Sequence, residues 1–492
     1  MLQFGPRQIE QKRHFGLQMN GSHLRLVAVF TLLIAARITR AQSAPISPER
    51  PWNAATGSRS SPSRPTPGYA PDPLKLYTLP ELIDLAERHN PETRVAWENA
   101  KARAADLGIA KASLYPTLAA AALAQSARED ILFAPFFYRQ TTETFSPIFL
   151  LDYTIFDFGR RSQDVAANRS NLVAANFLFN DTHRKIIFQV METYYRLLNT
   201  KGQEMAAEAN LKNAETVQEE AEARLKEGLA TLPDVLEARS AAAQADYDLQ
   251  AALGATEIAH GDLATALGTS PTYPFQVESI QDLTIPDGLT ETVESAIDHA
   301  LSQRPDLMQR VAELRASESE VKAARTAYLP TLSISGGAGE ARTYGQQDQM
   351  PGVYSRTQET WSARLSLTWT LFDGLARENR LAKAKADQKQ AAAAADAVRD
   401  RVENDVWSAY STARTSLRQQ KAAAALLAAT TESYNAALQS YNYGVRSQID
   451  VVSAQRALAA ARTEDVSART NVLTGIAALA YQTGDLLYAK RP

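Results

Sequence analysis

Apolar and polar residues alternate strictly between residues 361 and 371. The apolar positions are Trp361, Ala363, Leu365, Leu367, Trp369 and Leu371. A period of two residues is typical of a strand with one apolar and one polar face. After Asp373 the period changes, because residues 374–441 contain no proline and are rich in the residues that enter helices most readily. The pattern predicts a strand followed by one helix of about 67 residues, roughly 100 Å long.

A second helix is predicted to run back along the first. The long helix should end at Gly444, since glycine is the commonest residue just beyond a helix C-terminus. Another proline-free stretch begins after Ser447 and ends at Gly484. The two helices form a hairpin that is too long for a compact domain.

The first half of the chain contains the same kinds of segment. Thr78 and Glu81 predict the start of a short helix, and a further helix leads to Pro116. Two strands are then predicted at residues 117–127 and 144–157, with an exposed loop at residues 128–142 between them. The aromatic residues of this loop are Phe133, Phe136, Phe137 and Tyr138. Helices are predicted at residues 159–227 and 231–267, with Gly228 between them.

Proline, glycine and aspartate positions recur along the chain with a nearly constant spacing. The pairs 214 residues apart are Pro91 with Pro305 and Pro116 with Pro330; the pairs 216 apart are Asp157 with Asp373, Gly228 with Gly444, Asp234 with Asp450 and Gly268 with Gly484. This spacing predicts an internal duplication, with a first repeat at residues 74–277 and a second at residues 278–492. The predicted fold is mixed and mainly α, and each repeat consists of two strands followed by a long helical hairpin.

The N-terminal region has a different composition. Residues 24–36 form an apolar run too short to span a bilayer comfortably, so residues 1–44 are interpreted as a signal peptide and leader. A short amphipathic helix or a non-native leader is the alternative. Residues 45–73 contain eight prolines among Ser, Arg and Gly, which predicts a disordered linker.

Composition excludes some classes of function. The net charge of -3 gives no support for nucleic-acid binding, and a chain without cysteine has neither disulfides nor thiolate metal sites. The histidines are isolated, the six methionines do not cluster, and no Ser, His and Asp set stands out. We therefore expect neither an enzyme nor a cofactor or metal.

The number of strands points to an assembly. Four strands of about ten residues suit a tilted bilayer crossing, but the smallest membrane barrels have about eight strands. An open sheet would leave unpaired backbone groups at its edges in lipid. We infer that several copies of the chain share their strands, and that the hairpins form a ring of rods on one side of the membrane.

Several short motifs, each present once per repeat, carry a resemblance to a known family. They are the segments beginning at Ala112 (ASLYPTL) and Ala327 (AYLPTL), the corners at Ile155 (IFDFG) and Leu371 (LFDG), and the turns at Arg224 (RLKEGL) and Tyr441 (YNYGVR). In this order and spacing the chain resembles the TolC family of outer-membrane efflux channels over residues 74–488. The resemblance implies a homotrimer with a twelve-stranded outer-membrane β-barrel that continues into a twelve-helix periplasmic α-barrel. It also implies a periplasmic adaptor (membrane fusion protein) and an inner-membrane pump as partners, in efflux or type I secretion.

The resemblance also assigns roles to residues at the hairpin ends. It implies a periplasmic gate formed by Asp234, Tyr441 and Arg446, with Asp450 at the entrance. The two aspartates also fit helix-capping boxes with Thr231 and Ser447, so capping alone or capping with gating are both open.

The glycine turns have two interpretations as well. By resemblance, the adaptor contact consists of Gly228, Leu229, Gly444 and Val445. The glycines also supply the left-handed conformation that closes a helix. Candidates for an aromatic girdle facing lipid, or for ordinary buried sheet aromatics, are Trp361, Trp369, Phe145 and Tyr153. The rival to a channel is a periplasmic coiled-coil scaffold or adaptor, and the transported substrate is left open between drugs, metal ions and polypeptides.

Overall fold

The computed structural model describes residues 71–133, 136–348 and 352–487. The predicted signal peptide and leader lie outside the described residues, as does the predicted linker up to residue 70. The described residues belong to a single compact unit.

The helices and strands follow the same order in both halves of the chain. The strands are β1 (Leu76–Tyr77), β2 (Thr117–Phe133), β3 (Phe136–Phe156), β4 (Gln276–Val277), β5 (Thr331–Gln347) and β6 (Val353–Thr368). The helices are α1 (Leu79–His89), α2 (Pro91–Ala112), α3 (Arg160–Lys226), α4 (Leu232–Ala266), α5 (Val293–Gln303), α6 (Pro305–Thr326), α7 (Ala376–Asn442) and α8 (Gln448–Thr483). Two short helices, two long strands, one very long helix and one shorter helix therefore occur twice.

The four long strands form one antiparallel sheet in the order β2-β3-β5-β6. In the β2–β3 hairpin Thr117 pairs with Asp152, and the pairing continues to Phe133 with Phe136. The middle of β5 is rich in glycine because the neighbouring strand approaches closely there: a Cβ at Gly339 would collide with the Pro147 carbonyl. β1 and β4 form a separate parallel pair.

The strands are longer than the sequence predicts. The expected loop at residues 128–142 is wrong over its described part, because β2 and β3 continue through it with regular pairing. The polar residues that suggested a loop pair across the strands instead, and Arg139 Nε lies 3.1 Å from Asp130 Oδ1. The side chains of the predicted aromatic cluster lie outside the described part. The strand expected at residues 361–371 begins earlier, at Val353, and ends at Thr368.

The long helices are confirmed almost to the residue. α3 and α7 have 67 residues each, and proline is absent from both. At 1.5 Å per residue each is about 100 Å long. Each follows a left-handed residue at the corner after the sheet, with φ of 90° at Gly159 and 67° at Leu375. Equivalent ion pairs brace the two corners, with distances of 2.8 Å for Arg161–Asp157 and 3.3 Å for Arg377–Asp373.

The main core lies midway along the helices. An apolar stripe of α3 is buried there, with Tyr194, Leu197 and Leu198 packed against Leu263 and Leu267. A smaller core packs α5 against α7, and another lies just inside the ends of the hairpins. Each long helix is therefore held to its neighbours at several levels rather than along a continuous core.

A buried ionic cluster joins the two repeats near the main core. Arg304 makes a bidentate contact with Asp306 at 3.1 and 2.7 Å and reaches Asp405 at 3.3 Å. Arg184, only 1% exposed, lies 2.6 Å from Asp181. The cluster connects the start of α6 with α7. Arg184 and Asp181 belong to α3.

No helix in the described part of the chain combines the length and the apolar character needed to cross a bilayer.

Candidate functional site at the ends of the helical hairpins

Both hairpins end in the same glycine turn. The Leu229 amide donates to the Arg224 carbonyl at 2.8 Å, and the Val445 amide donates to the Ser440 carbonyl at 2.9 Å. Gly228 and Gly444 have φ values of 78° and 72°, the left-handed conformation that costs glycine least. The sequence predicted both turns, and the geometry of one repeats that of the other.

The two aspartates predicted at the gate cap the helices that leave these turns. Asp234 Oδ2 accepts from the Thr231 backbone amide at 2.9 Å and from its hydroxyl at 2.6 Å. Asp450 Oδ2 accepts from the Ser447 amide at 3.1 Å and from its hydroxyl at 2.9 Å. The pKa of Asp450 is lowered, first by these two hydrogen bonds and to a smaller extent by the charge of Arg446. Capping is therefore the observed role of both carboxylates.

Tyr441 is joined to the other hairpin by Arg224, a residue that the sequence did not single out as functional. The guanidinium carbon of Arg224 lies 4.3 Å from the centre of the Tyr441 ring. The same guanidinium donates to the Tyr441 carbonyl at 3.3 Å and to the Asn442 side-chain oxygen at 3.1 Å. Arg224 lies in the last turn of α3 and Tyr441 in the last turn of α7, so the contact ties one hairpin to the other.

A signal for Arg224 exists in the duplication. The position 216 residues later is Ser440, so the arginine occurs in the first repeat only. A residue that differs between two otherwise repeated turns indicates a contact that only one of the turns makes. The aromatic partner is likewise unique, because Leu225 stands at the position equivalent to Tyr441.

Within the protomer the charge of Asp234 acts on Tyr441, and the charge of Arg446 acts on Asp450. Burial raises the pKa of Tyr441, Arg224 opposes that effect, and the negative charge of Asp234 adds to it. Arg446 is exposed, and within the described residues its guanidinium makes no hydrogen bond or ion pair. Of the residues predicted for the gate, Asp234 therefore influences Tyr441 electrostatically, and Arg224 contacts Tyr441 directly.

Two further arginines bridge helices near this end. Arg456 on α8 lies 3.0 Å from Glu237 on α4, which is a second contact between hairpins. Arg239 on α4 lies 2.9 Å from Glu222 on α3, which is a contact within one hairpin. Gln448, the first residue of α8, is almost fully buried, and both polar atoms of its amide lack a hydrogen-bond partner in the described chain.

The outermost surface of both turns is apolar and exposed. Leu229 is 71% exposed and Val445 is 78% exposed. Tyr443, Leu232 and Ile449 add to this apolar end surface and were not singled out by the sequence, with Tyr443 86% exposed. Exposed apolar side chains grouped on one surface are typical of a contact site for another protein.

A family model matches this chain in two segments that cover most of the described fold. The description of the model is outer membrane efflux protein, and the matched residues are 82–269 and 296–485. The chain belongs to the outer membrane efflux protein family. The resemblance to TolC-type channels is thereby confirmed, and each matched segment falls within one half of the chain.

Individual relatives agree with the family. Protein CyaE of Bordetella pertussis is 27% identical, over 84% of this chain and 85% of CyaE. Outer membrane protein OprJ of Pseudomonas aeruginosa is 24% identical, over 87% of this chain and 89% of OprJ. The crystal structure of the Campylobacter jejuni CmeC outer membrane channel has a similar fold, with a TM-score of 0.70 and 21% identity over 82% of this chain and 85% of CmeC.

The function and localisation predicted from the sequence follow from the family. This member of the outer membrane efflux protein family is an efflux channel protein of the Gram-negative outer membrane, and the family is one of transport proteins. The alternative of a periplasmic scaffold or adaptor is set aside.

Proposed function

We propose that three copies of this chain assemble into one exit duct, which passes substrates from an inner-membrane pump and a periplasmic adaptor to the exterior. The observation that carries the proposal is the four-stranded sheet with β2 at one edge and β6 at the other. In the described part of the chain no further strand pairs with either edge. Unpaired edges in lipid cost several kcal/mol for each orphan backbone group, which favours pairing of β6 with β2 of a neighbouring copy.

Three such sheets contribute twelve strands, which is enough to close a barrel. Three copies of α3, α4, α7 and α8 contribute twelve helices to a tube on the periplasmic side. The aromatic side chains Trp361, Phe145 and Trp369 are exposed on the protomer, which fits a girdle facing lipid. In this proposal the repeats at residues 74–277 and 278–492 are equivalent wall segments of one duct.

The adaptor is proposed to bind the apolar end surface around Gly228, Leu229, Gly444 and Val445. Two exposed apolar residues directly follow the glycines, and burying such side chains against a partner is worth about 25 cal/mol for each Å² removed from water. The glycines hold both side chains at the outermost point of the turn. Transport of drugs, metal ions or polypeptides would then depend on the pump with which the duct is paired.

The same end of the tube is proposed to carry the gate. The charge of Asp234 acts on Tyr441 within the protomer, and Asp450 lies at the start of α8. Arg446 is exposed at the turn and acts on Asp450 of its own protomer, and in this proposal it pairs with a carboxylate of a neighbouring copy. Arg224 adds a contact between the hairpins, so outward movement of α7 requires the Arg224–Tyr441 contact to break.

Native mass spectrometry of the detergent-solubilised protein tests the assembly. The expected mass is that of three protomers, and planar bilayers containing the protein should show discrete single-channel conductance. A monomeric protein that forms no channel would refute the proposal.

Cross-linking tests the adaptor surface. Because the natural chain has no cysteine, Val445→Cys introduces a unique thiol at the turn, and Lys389→Cys places a matched exposed thiol in the first third of α7, far from the turn. In native cells a thiol-directed cross-linker should join the turn variant to an adaptor-type protein, identified by mass spectrometry. Equal cross-linking of both variants to the same protein would count against the turn as the contact.

A further inference from the structure

A pocket lies near the middle of α7, far from the hairpin ends. Its volume is about 360 Å³, and it lies between α7 and the segment of residues 286–291 that precedes α5. The residues that define it are Tyr410, Arg414, Arg418 and Lys421 on the helix and Asp287 and Leu289 on the segment. The four helix residues are spaced by four, four and three positions, so all of them lie on one face of α7.

Contacts at both ends of the pocket hold the segment above the helix. The Tyr410 hydroxyl donates to the Glu291 carbonyl at 3.1 Å, and Lys421 Nζ donates to the Asp287 carbonyl at 3.5 Å. Arg414 and Arg418 lie between these two contacts along the helix. The pocket is therefore the space that the anchored segment leaves above two arginines.

The duplication provides an internal comparison for this surface. The residues of α3 equivalent to Arg414 and Arg418 are Leu198 and Gly202. Leu198 is fully buried, and a Cβ at Gly202 would lie 2.6 Å from a Val466 methyl and 3.3 Å from an Ile280 methyl. In the first repeat this face is sealed by apolar packing. In the second repeat the same face is open and cationic.

The charge in the pocket is unbalanced. Three cationic side chains line it, against one carboxylate, that of Asp287. Within the described residues neither Arg414 nor Arg418 makes a hydrogen bond or ion pair. Like charges one helical turn apart destabilise a helix, so an anion between them removes an unfavourable interaction. Guanidinium groups present paired donors that match the oxygens of phosphate and carboxylate groups.

We propose that this pocket binds a small multivalent oxyanion that carries phosphate or carboxylate groups. Arg414 lies 38 residues beyond the start of α7, which is about 57 Å along the helix. In the proposed duct this distance places the pocket beyond the reach of outer-membrane lipid headgroups, so the ligand is a soluble periplasmic anion.

Isothermal titration calorimetry on the detergent-solubilised full-length protein tests the proposal, with inorganic pyrophosphate and citrate as probes. Arg414→Ala combined with Arg418→Ala should weaken binding of the better probe by about tenfold or more, because both charge-assisted contacts are lost. The matched control is Lys389→Ala with Arg401→Ala, which removes the same charge from exposed positions on α7 outside the pocket. The control should bind within about twofold of the natural protein, since screened charges at this distance contribute little.

Replacement of both arginines with lysine separates shape from charge. The lysine variant keeps the positive charge and loses the paired donors of the guanidinium groups, so it should bind with intermediate affinity. Failure of the natural protein to bind either probe would overturn the proposal, as would equal binding by the alanine and control variants. Native mass spectrometry of the same samples reports trimer formation separately, so a failure of this pocket is distinguishable from a failure of the proposed duct.

Discussion

Removal of the Arg224 side chain tests whether contacts between the hairpins keep the end of the tube closed. Arg224→Ala deletes the cation–π contact with Tyr441, the hydrogen bond to the Tyr441 carbonyl and the one to the Asn442 side chain. These contacts join the C-terminus of α3 to that of α7. The capping boxes and the glycine turns are left intact, so each hairpin should keep its fold.

The size of the effect follows from the geometry. Arg224 is half-buried, so the cation–π contact is worth about 0.5–1 kcal/mol. The hydrogen bonds add about 0.5–1.5 kcal/mol, which brings the loss to about 1–2.5 kcal/mol per protomer. Since about 1.4 kcal/mol corresponds to a factor of ten, the open population should rise roughly 5- to 70-fold.

Single-channel recording in planar lipid bilayers measures this population as the fraction of time spent in the high-conductance state. Arg239→Ala is the matched control, because Arg239 pairs with Glu222 inside one hairpin and does not join the two. Arg224→Ala should open the channel and Arg239→Ala should leave it nearly unchanged. If Arg224 acts through Tyr441, the double variant with Tyr441→Leu should open less than independent effects predict. Unchanged conductance in a folded Arg224→Ala protein, or equal opening by the control, would refute the reasoning.

Three further predictions concern the gate, the ionic cluster and the buried amide. Tyr441→Phe combined with Arg446→Ser removes the Tyr441 hydroxyl and the Arg446 charge and should raise single-channel conductance, and an unchanged conductance would exclude these two groups from the gate. Burial raises the pKa of Asp306, but the hydrogen bonds and charge of Arg304 outweigh burial and lower it overall. A lowered pKa contributes stability that is present at neutral pH and lost as the pH falls below about 4, so the thermal midpoint should drop there and Asp306→Asn should flatten that drop. Gln448→Leu removes two unsatisfied buried polar atoms that cost about 1–3 kcal/mol and should raise the thermal midpoint by calorimetry; a lower midpoint would show that the amide finds a partner in the assembly.

The long helices were predictable because their signal extends over many turns. A stretch of 67 residues without proline that leads to a glycine strongly favours one long helix. Both α3 and α7 agree with this prediction. The capping boxes at Thr231 and Ser447 are local patterns of four residues, and they also formed as expected.

The remaining features depend on contacts between distant parts of the chain. Residues 128–142 suggest a loop from their sequence, but in the described part of this range pairing with neighbouring strands makes the backbone extended. Arg224 and Tyr441 are 217 residues apart, so no local pattern predicts their contact. Arg304 occupies a helix N-cap where Asn90 stands in the first repeat, and its partners on α7 and α8 become visible only in the fold. Sequence periodicity thus predicts the rods but not the side chains that connect them.

The equal length of α3 and α7 limits how this protein can change its size. One added residue advances a helix by about 1.5 Å and turns its end by about 100°. An insertion in only one of the two helices would therefore misalign the two turns and rotate Arg224 or Tyr441 away from its partner. Longer or shorter versions of the proposed tube should arise by matched insertions or deletions in both repeats. Steps of close to two helical turns would keep Arg224 and Tyr441 oriented towards each other.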